Sequence, residues 1–334
     1  MNAPSSDGSA APTVSVIIVN YNSGARLRRC LEHLAAQSFR DFEVIVVDNA
    51  STDDSISTAG DGFSLIEAGS NLGFAAANNL AAKSAQGSWL AFLNPDAYAA
   101  PDWLEVLLQA IERHAGVDAF GSTQIDDANR TLIDGAGDVY HAFGLAYRGH
   151  FGWPVDQLPP EGECFAACAA AMLVRRETFN ELGGFYEPFF CYSEDVDFGF
   201  RLRLSGGRCV QVRDAVVHHE GSGVTGRKSA FTVYHGHRNR IWTWYLNMPL
   251  GLLIVTLPLC AALNLLLLLK SAMEGNAAAY LRAMKDGYGG LPKLAAERGA
   301  RQRARKVRTV AVARWLTWSP LKLFRRAADV RAID

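Results

Sequence analysis

Four acidic residues and a histidine pair carry the chemistry this sequence can do: Asp48, Asp96, Glu194 beside Asp195, and His218 beside His219. Asp96 closes the stretch Trp89, Leu90, Ala91, Phe92, Leu93, Asn94, Pro95. Residues 89–93 are apolar and too few for a helix, so they read as a central strand of a parallel sheet. Pro95 cannot continue a ladder, so the strand stops there. Asp96 therefore stands at the carboxyl end of a central strand, the edge where open α/β sheets bind ligands. A carboxylate at that edge suits a divalent cation bridging phosphate oxygens. Each position also has a plain structural reading. Asn-Pro-Asp favours a turn, and Asp48 can cap the helix after it. Glu194 and Asp195 suit the first turn of a helix, and a strand-end histidine is commonly inert. Their order along one chain argues for treating them together.

The elements that would position these residues alternate. Val14–Val19 is a buried strand, followed by Asn20, Tyr21, Asn22 and a helix carrying Leu27, Cys30, Leu31 and Leu34 at helical spacing. Phe42–Val47 is a second strand ending at Asp48, and Phe63–Ile66 a third. Asn71, Leu72 and Gly73 open an Ala-rich helix, and the strand ending at Asp96 comes next. Pro101 then sits at a first helical position. This alternation predicts a parallel sheet with right-handed crossovers. Residues 117–175 loosen into short strands and Gly-rich loops that would shape a pocket. Ser193 is the expected N-cap of a helix whose acids come early and arginines late.

Taken in order, these motifs make residues 14–245 resemble a family 2 glycosyltransferase of the GT-A fold, in the bacterial rhamnosyltransferase-like group. The matching segments begin at Val16, Val46, Asn71, Phe92, Leu182, Ser193 and Val217. The resemblance implies a mostly parallel sheet flanked by helices. It implies that Asn20, Tyr21, Asn22 and Asp48 hold the nucleobase and ribose of a donor, and that Asn71 and Gly73 line the nucleotide pocket. Asn94 and Asp96 stand where the family has its Asp-X-Asp metal motif, with Asn94 in place of the first acid. Asp96 and His218 are the implied ligands of Mg²⁺ or Mn²⁺, with the adjacent His219 as the alternative to His218. Asp195 resembles the general base, with Glu194 supporting it. The activity implied is inverting transfer of a sugar, L-rhamnose from a dTDP donor or else a UDP-hexose, to a lipid-linked or growing envelope polysaccharide. That reaction needs a cation to neutralise the leaving diphosphate and a carboxylate to take the acceptor's proton. The rival expectation is a non-catalytic, membrane-docked nucleotide-sugar-binding scaffold that kept the fold.

The composition is that of a folded protein, 49% apolar and 20% charged over 334 residues. Six scattered cysteines read as reduced core thiols. Residues 1–12 lack the charged and apolar regions of a signal peptide and read as a disordered lead-in. The charge is unevenly spread. Residues 1–269 carry 18 Lys/Arg against 29 Asp/Glu, and residues 270–334 carry 15 against 5. A basic end of that kind seeks an anionic partner, membrane or nucleic acid. Leu250–Leu269 is an apolar run of about 30 Å as a helix, long enough to cross a bilayer. Basic residues flank it on both sides, Arg238 and Arg240 before and Arg298 to Arg308 after, and both clusters prefer the cytoplasmic side. The expectation is therefore a helix that re-enters at Pro258 or lies in the interface, rather than a span. Val310, Trp315, Leu316 and Trp318 among arginines suit an anionic lipid surface. Nucleic acid is not an expected partner. The domains anticipated are 13–245, catalytic, and 246–334, a membrane-associating tail on the cytoplasmic face of the inner (plasma) membrane, peripheral or monotopic.

Overall fold

The computed structural model describes residues 11–221 and 229–333; most of the lead-in expected at 1–12 lies outside them. The first half runs β1 (Val14–Asn20), α1 (Ala25–Ala35), β2 (Phe42–Asp48), β3 (Ser64–Glu67), α2 (Gly73–Ser84), β4 (Trp89–Leu93), β5 (Ala97–Ala99) and α3 (Trp103–Arg113). Then come β6 (Ala119–Asp126), β7 (Ile133–Gly135), β8 (Asp138–His141), β9 (Leu145–Arg148), β10 (Gly162–Glu163), β11 (Ala171–Arg175), α4 (Arg176–Glu181), α5 (Glu194–Ser205) and β12 (Cys209–His219). Five helices follow the described part of the loop after β12: α6 (Ala230–Asn247), α7 (Leu250–Met273), α8 (Ala277–Gly289), α9 (Leu291–Ala304) and α10 (Thr309–Trp315). A last short helix, α11, covers Pro320–Arg325.

The sheet has the order β10-β12-β6-β11-β4-β1-β2-β3. The strands β3, β2, β1 and β4 are parallel, as alternation with helices requires. Beyond β4 the sheet is mixed: β11 is antiparallel to both β4 and β6, and β12 is parallel to β6. The loosely patterned region 117–175 thus supplies strands that extend the same sheet. Strands β1 and β4 are buried along their whole length, which is why they read as unbroken apolar runs. Val14, Val16 and Ile18 pack with Leu27, Leu104 and Leu107 of α1 and α3 on one face. Ile17 and Val19 pack with Ala77, Phe179 and Phe198 of α2, α4 and α5 on the other.

The boundary expected after residue 245 falls inside α6, and it marks no break in packing. Tyr140, Phe165 and Phe200 share a core with Trp244, Leu252, Cys260, Val312 and Leu316. Helix α7 runs through Pro258 without interruption. Its buried residues Leu252, Thr256, Cys260 and Leu263 form one stripe. The polar side chains of α7 turn inward: Thr256 accepts from Trp244 Nε1 at 3.0 Å, and Asn264 donates to Tyr288 at 2.6 Å and also pairs with Arg240. Ile254, Val255, Leu265, Leu266, Leu269 and Met273 remain exposed. The chain after α10 returns to the half that carries the sheet. Thr317 exchanges backbone hydrogen bonds with Tyr140 and Ala142, and Arg331 with Glu163.

Candidate active site

Three groups of residues meet at the carboxyl edge of β1, β2 and β4. The first belongs to the turns after β1 and β2. Asn20 and Asp48 are direct register partners, and Asn20 Nδ2 lies 3.0 Å from Asp48 Oδ1 and 2.9 Å from both Ser51 and Ser55 Oγ. Asn22, at φ +48°, accepts from Thr52 N at 2.7 Å, and its own N–H donates to Ser51 Oγ at 3.0 Å. The Asn20 amide and the Asn22 side-chain oxygen thus tie the two turns together. Tyr21 is 38% exposed, and Asn22 and Asp48 are both half-buried.

The second group opens α2. Asn71 Oδ1 accepts from Asn49 Nδ2 at 2.9 Å and from Gly73 N at 3.0 Å, while Asn49 Oδ1 accepts from Leu72 N at 2.8 Å. Gly73 has φ +81°, and a Cβ there would come within 2.4 Å of the Phe190 ring and 2.6 Å of its carbonyl oxygen. Its smallness lets the loop before α5 lie against the start of α2, where Ala75 N donates to Phe190 O at 3.1 Å.

The third group is the acidic edge. After β4 the chain turns, with Ala97 N donating to Asn94 O at 3.0 Å, and pairs as β5 with the end of β12, Ala97 opposite His219. Glu220 N donates to Asp96 O at 3.0 Å. This pairing puts His219, not His218, beside Asp96: His219 Nε2 lies 3.4 Å from Asp96 Oδ1. Adjacent strand residues face opposite sides, so a slip of one residue exchanges the two rings. His218 faces elsewhere, near Arg130 and Asp127, and burial pushes its imidazole below the ordinary range. Asp96 and His219 are both buried. Burial lowers the His219 imidazole, but its carboxylate partners Asp134 and Asp96 more than reverse that, leaving it raised. Among the described residues, Asn94 Oδ1 is buried without a hydrogen-bond partner.

Asp195 and Glu194 begin α5 at the end of a loop in which Phe190, Tyr192 and Ser193 all have φ between +66° and +69°. Such backbone persists only where surroundings over-determine it. Here Asn239 of α6, fully buried, aims its amide at the carbonyls of Phe189, Cys191 and Tyr192 at 2.8–2.9 Å. Ser193 was expected to cap α5 with its hydroxyl; held in the left-handed region, it makes no such bond. Asp195 Oδ2 accepts from Ala169 N at 3.1 Å and Oδ1 from Val196 N at 2.8 Å. Glu194 is buried, and burial together with the neighbouring Asp195 holds its carboxyl well above the usual range.

Sequence reasoning missed the residues behind this edge. Asp134 Oδ2 lies 2.7 Å from His219 Nδ1 and pairs with Arg148. Asp138, Cys168 and Asp195 bring their ligand atoms within 4.8 Å of one another. Burial pushes the Cys168 thiol up to about 12. Asp134 and Asp138 lie in the Gly-rich stretch 133–149, which carried no periodic signal.

Residues 15–183 match the model of glycosyl transferase family 2. An N-acetylglucosaminyl-diphospho-decaprenol L-rhamnosyltransferase of Mycobacterium tuberculosis is 30% identical over 255 residues, covering 67% of this chain and 81% of that protein. The chain belongs to glycosyltransferase family 2. Its fold is GT-A. The mannosyltransferase PcManGT from Pyrobaculum calidifontis, solved with GDP-Man and Mn²⁺, superposes with a TM-score of 0.52 at 18% identity, over 90% of this chain and 88% of that one. TarS of S. aureus, residues 1–349 with UDP, gives 0.50 at 18% identity over 75% and 70%. This family 2 member is thus a nucleotide-sugar-dependent glycosyltransferase, and its acidic edge lies where β4 and β12 end.

Proposed function

We propose that this glycosyltransferase moves L-rhamnose from a dTDP donor, with a UDP-hexose as the alternative, onto a lipid-linked or growing envelope glycan, inverting the anomeric centre. The observation that carries the reading is the meeting of Asp96 and His219 at the end of β4, with Asp195 on a separate element. The sugar and acceptor classes rest on the similarity to the mycobacterial L-rhamnosyltransferase, whose name gives a decaprenyl-diphosphate acceptor.

The donor set fits a divalent cation. His219 Nε2 and Asp96 Oδ1 face each other at 3.4 Å, too long for a strong hydrogen bond, and the other ring nitrogen is tied to a carboxylate. Asp96 and His219 would hold Mg²⁺ or Mn²⁺, with the donor phosphates completing the shell. When bound, the ion neutralises charge on the departing nucleoside diphosphate. Tyr21 and Asp48 receive the nucleoside. Asp195 accepts the proton of the acceptor hydroxyl as its oxygen bonds to the anomeric carbon and the carbon–phosphate oxygen bond breaks. Ala169 N–H and the α5 N-terminus hold that carboxylate in place. Glu194 stands beside it at the start of α5 in support. The exposed apolar face of α7 and the basic residues around it support a monotopic site on the cytoplasmic leaflet, where a polyprenyl-linked acceptor resides.

The test is turnover of nucleotide sugars by the purified full chain with Mn²⁺. Asp195→Asn is expected to lower turnover about 10²–10⁴-fold while donor binding holds. Undiminished turnover in that variant would refute the base assignment.

A further inference from the structure

We propose that Asp134 is the positioning residue that fixes the ring of His219 and turns its Nε2 lone pair toward Asp96. The inference rests on the cation-holding role given above to Asp96 and His219.

The argument starts from the imidazole. A neutral ring has one N–H, and the nitrogen that keeps it is set by the hydrogen bond the other atom makes. Asp134 Oδ2 stands 2.7 Å from His219 Nδ1, and both side chains are essentially excluded from solvent. A carboxylate there demands a donor, so the proton belongs on Nδ1 and Nε2 is left as the acceptor. Nε2 is the atom that faces Asp96 Oδ1. A histidine whose far nitrogen donates to a carboxylate is a stronger and better oriented metal ligand.

Two features show that the contact is built into the fold. Strand β7 pairs with β6 so that Ile133 faces Ile125 and Gly135 faces Gln124, which leaves Asp134 as the extra residue of a bulge. Bulges re-aim a side chain out of the regular alternation and are frequent beside active sites. Here the bulge turns Asp134 toward His219, which pairs with the far side of β6 opposite Asp126. Secondly, a buried carboxylate is costly alone, and Arg148 of β9 forms an ion pair with it. That pairing compensates the buried carboxylate and leaves Oδ2 facing both the guanidinium and the ring. Asp138 lies on the partner strand of the same hairpin, opposite Arg148 in register. Arg148 thus sits between the cation edge and the acids near Asp195.

Two measurements on the full chain test this. The first is the ¹⁵N spectrum of histidine-labelled protein at alkaline pH without metal, His219 being assigned by its loss in His219→Gln. The expected form is the Nδ1–H tautomer; an Nε2–H tautomer would overturn the proposal, and no variant of Asp134 is needed. The second is Mn²⁺ affinity, read from the paramagnetic resonance signal of free MnCl₂. Asp134→Ala is expected to weaken binding about 10–100-fold, and Asp134→Asn, which keeps an acceptor for Nδ1–H, to recover part of the loss. Wild-type affinity in Asp134→Ala, or an Asn variant no better than Ala, would overturn it. Asp96→Asn serves as the control for the underlying reading. If that variant binds Mn²⁺ normally, the cation site itself is misplaced, and the tautomer alone then decides the role of Asp134.

Discussion

The amides of Asn20 and Asn22 and the hydrogen of Gly73 do structural work at positions where the resemblance implied donor contact. Asn20 and Asn22 hold the β1 and β2 turns to each other, and Asp48 takes its place through that link. Gly73 permits the closest approach at the site, Phe190 lying where a Cβ would stand. Gly73→Ala should cost more than about 1 kcal/mol, because φ +81° disfavours any side chain and the clash is with backbone as well as ring. Urea unfolding checks this, and an unchanged midpoint would show that the Phe190 loop moves aside freely. Asp96 at a strand end and Asp195 in the first turn of a helix were legible as positions from residue type and order. His219 was not, because two adjacent histidines differ only in which face of β12 each occupies, and pairing with β5 decides that.

Helix α5 serves two ends. Its first turn presents Asp195, and two residues on, Asp197 anchors the chain's C-terminal helices. Asp197 Oδ1 lies 2.6 Å from both Arg301 Nη1 and Asn247 Nδ2, and Oδ2 accepts from Arg201 Nε at 2.9 Å, all of it buried. Burial pushes the Asp197 carboxyl up, but the two guanidiniums prevail and hold it below the ordinary range. Removing one partner of a buried pair costs about 3–5 kcal/mol because the other charge stays behind. Arg301→Met should fall at the low end, about 3 kcal/mol, since Arg201 remains. A loss under about 1 kcal/mol by chemical denaturation would mean that α9 is only loosely attached. The sequence marked Asp197 as a first-turn acid and placed Arg301 in a basic tail; nothing in either pattern joined them across 104 positions.

At the scale of the molecule, the apolar helix is one wall of the protein with its other side open. Helix α7 buries Thr256, Cys260 and Leu263 and leaves Leu266, 63% exposed, and Met273, 89% exposed, on the outside. The tail adds Val310, Trp318, Leu321 and Phe324 to the exposed apolar side chains, while its backbone is bonded to the β8–β9 hairpin region. A one-sided helix of this kind suits the plane of an interface better than a span. The full chain should therefore sediment with vesicles of anionic phospholipid. Leu266→Asp combined with Leu269→Asp should lower that partition more than about tenfold with the thermal midpoint unchanged. Equal partition of the double variant would remove α7 from the membrane contact. Substitution is the sounder probe here, since a cut near 245 would strip Asp197 of Asn247 and Arg301.

The sequence by itself determined a parallel sheet built from four alternating strands, acids at strand and helix ends, the family, and an apolar helix in a basic neighbourhood. These are local properties: runs of apolar residues, turn formers and motif order survive in one dimension. Only the tertiary structure decided that His219 faces Asp96, that Asp134 on a bulge holds that ring, that Asn239 secures the strained loop before Asp195, and that 246–333 shares a core with the catalytic half. Each depends on strand pairing or packing between segments far apart in the chain, which no local pattern encodes. For Asp96 this is decisive: its place at a strand end was written in Pro95, and its partner in the register of β12.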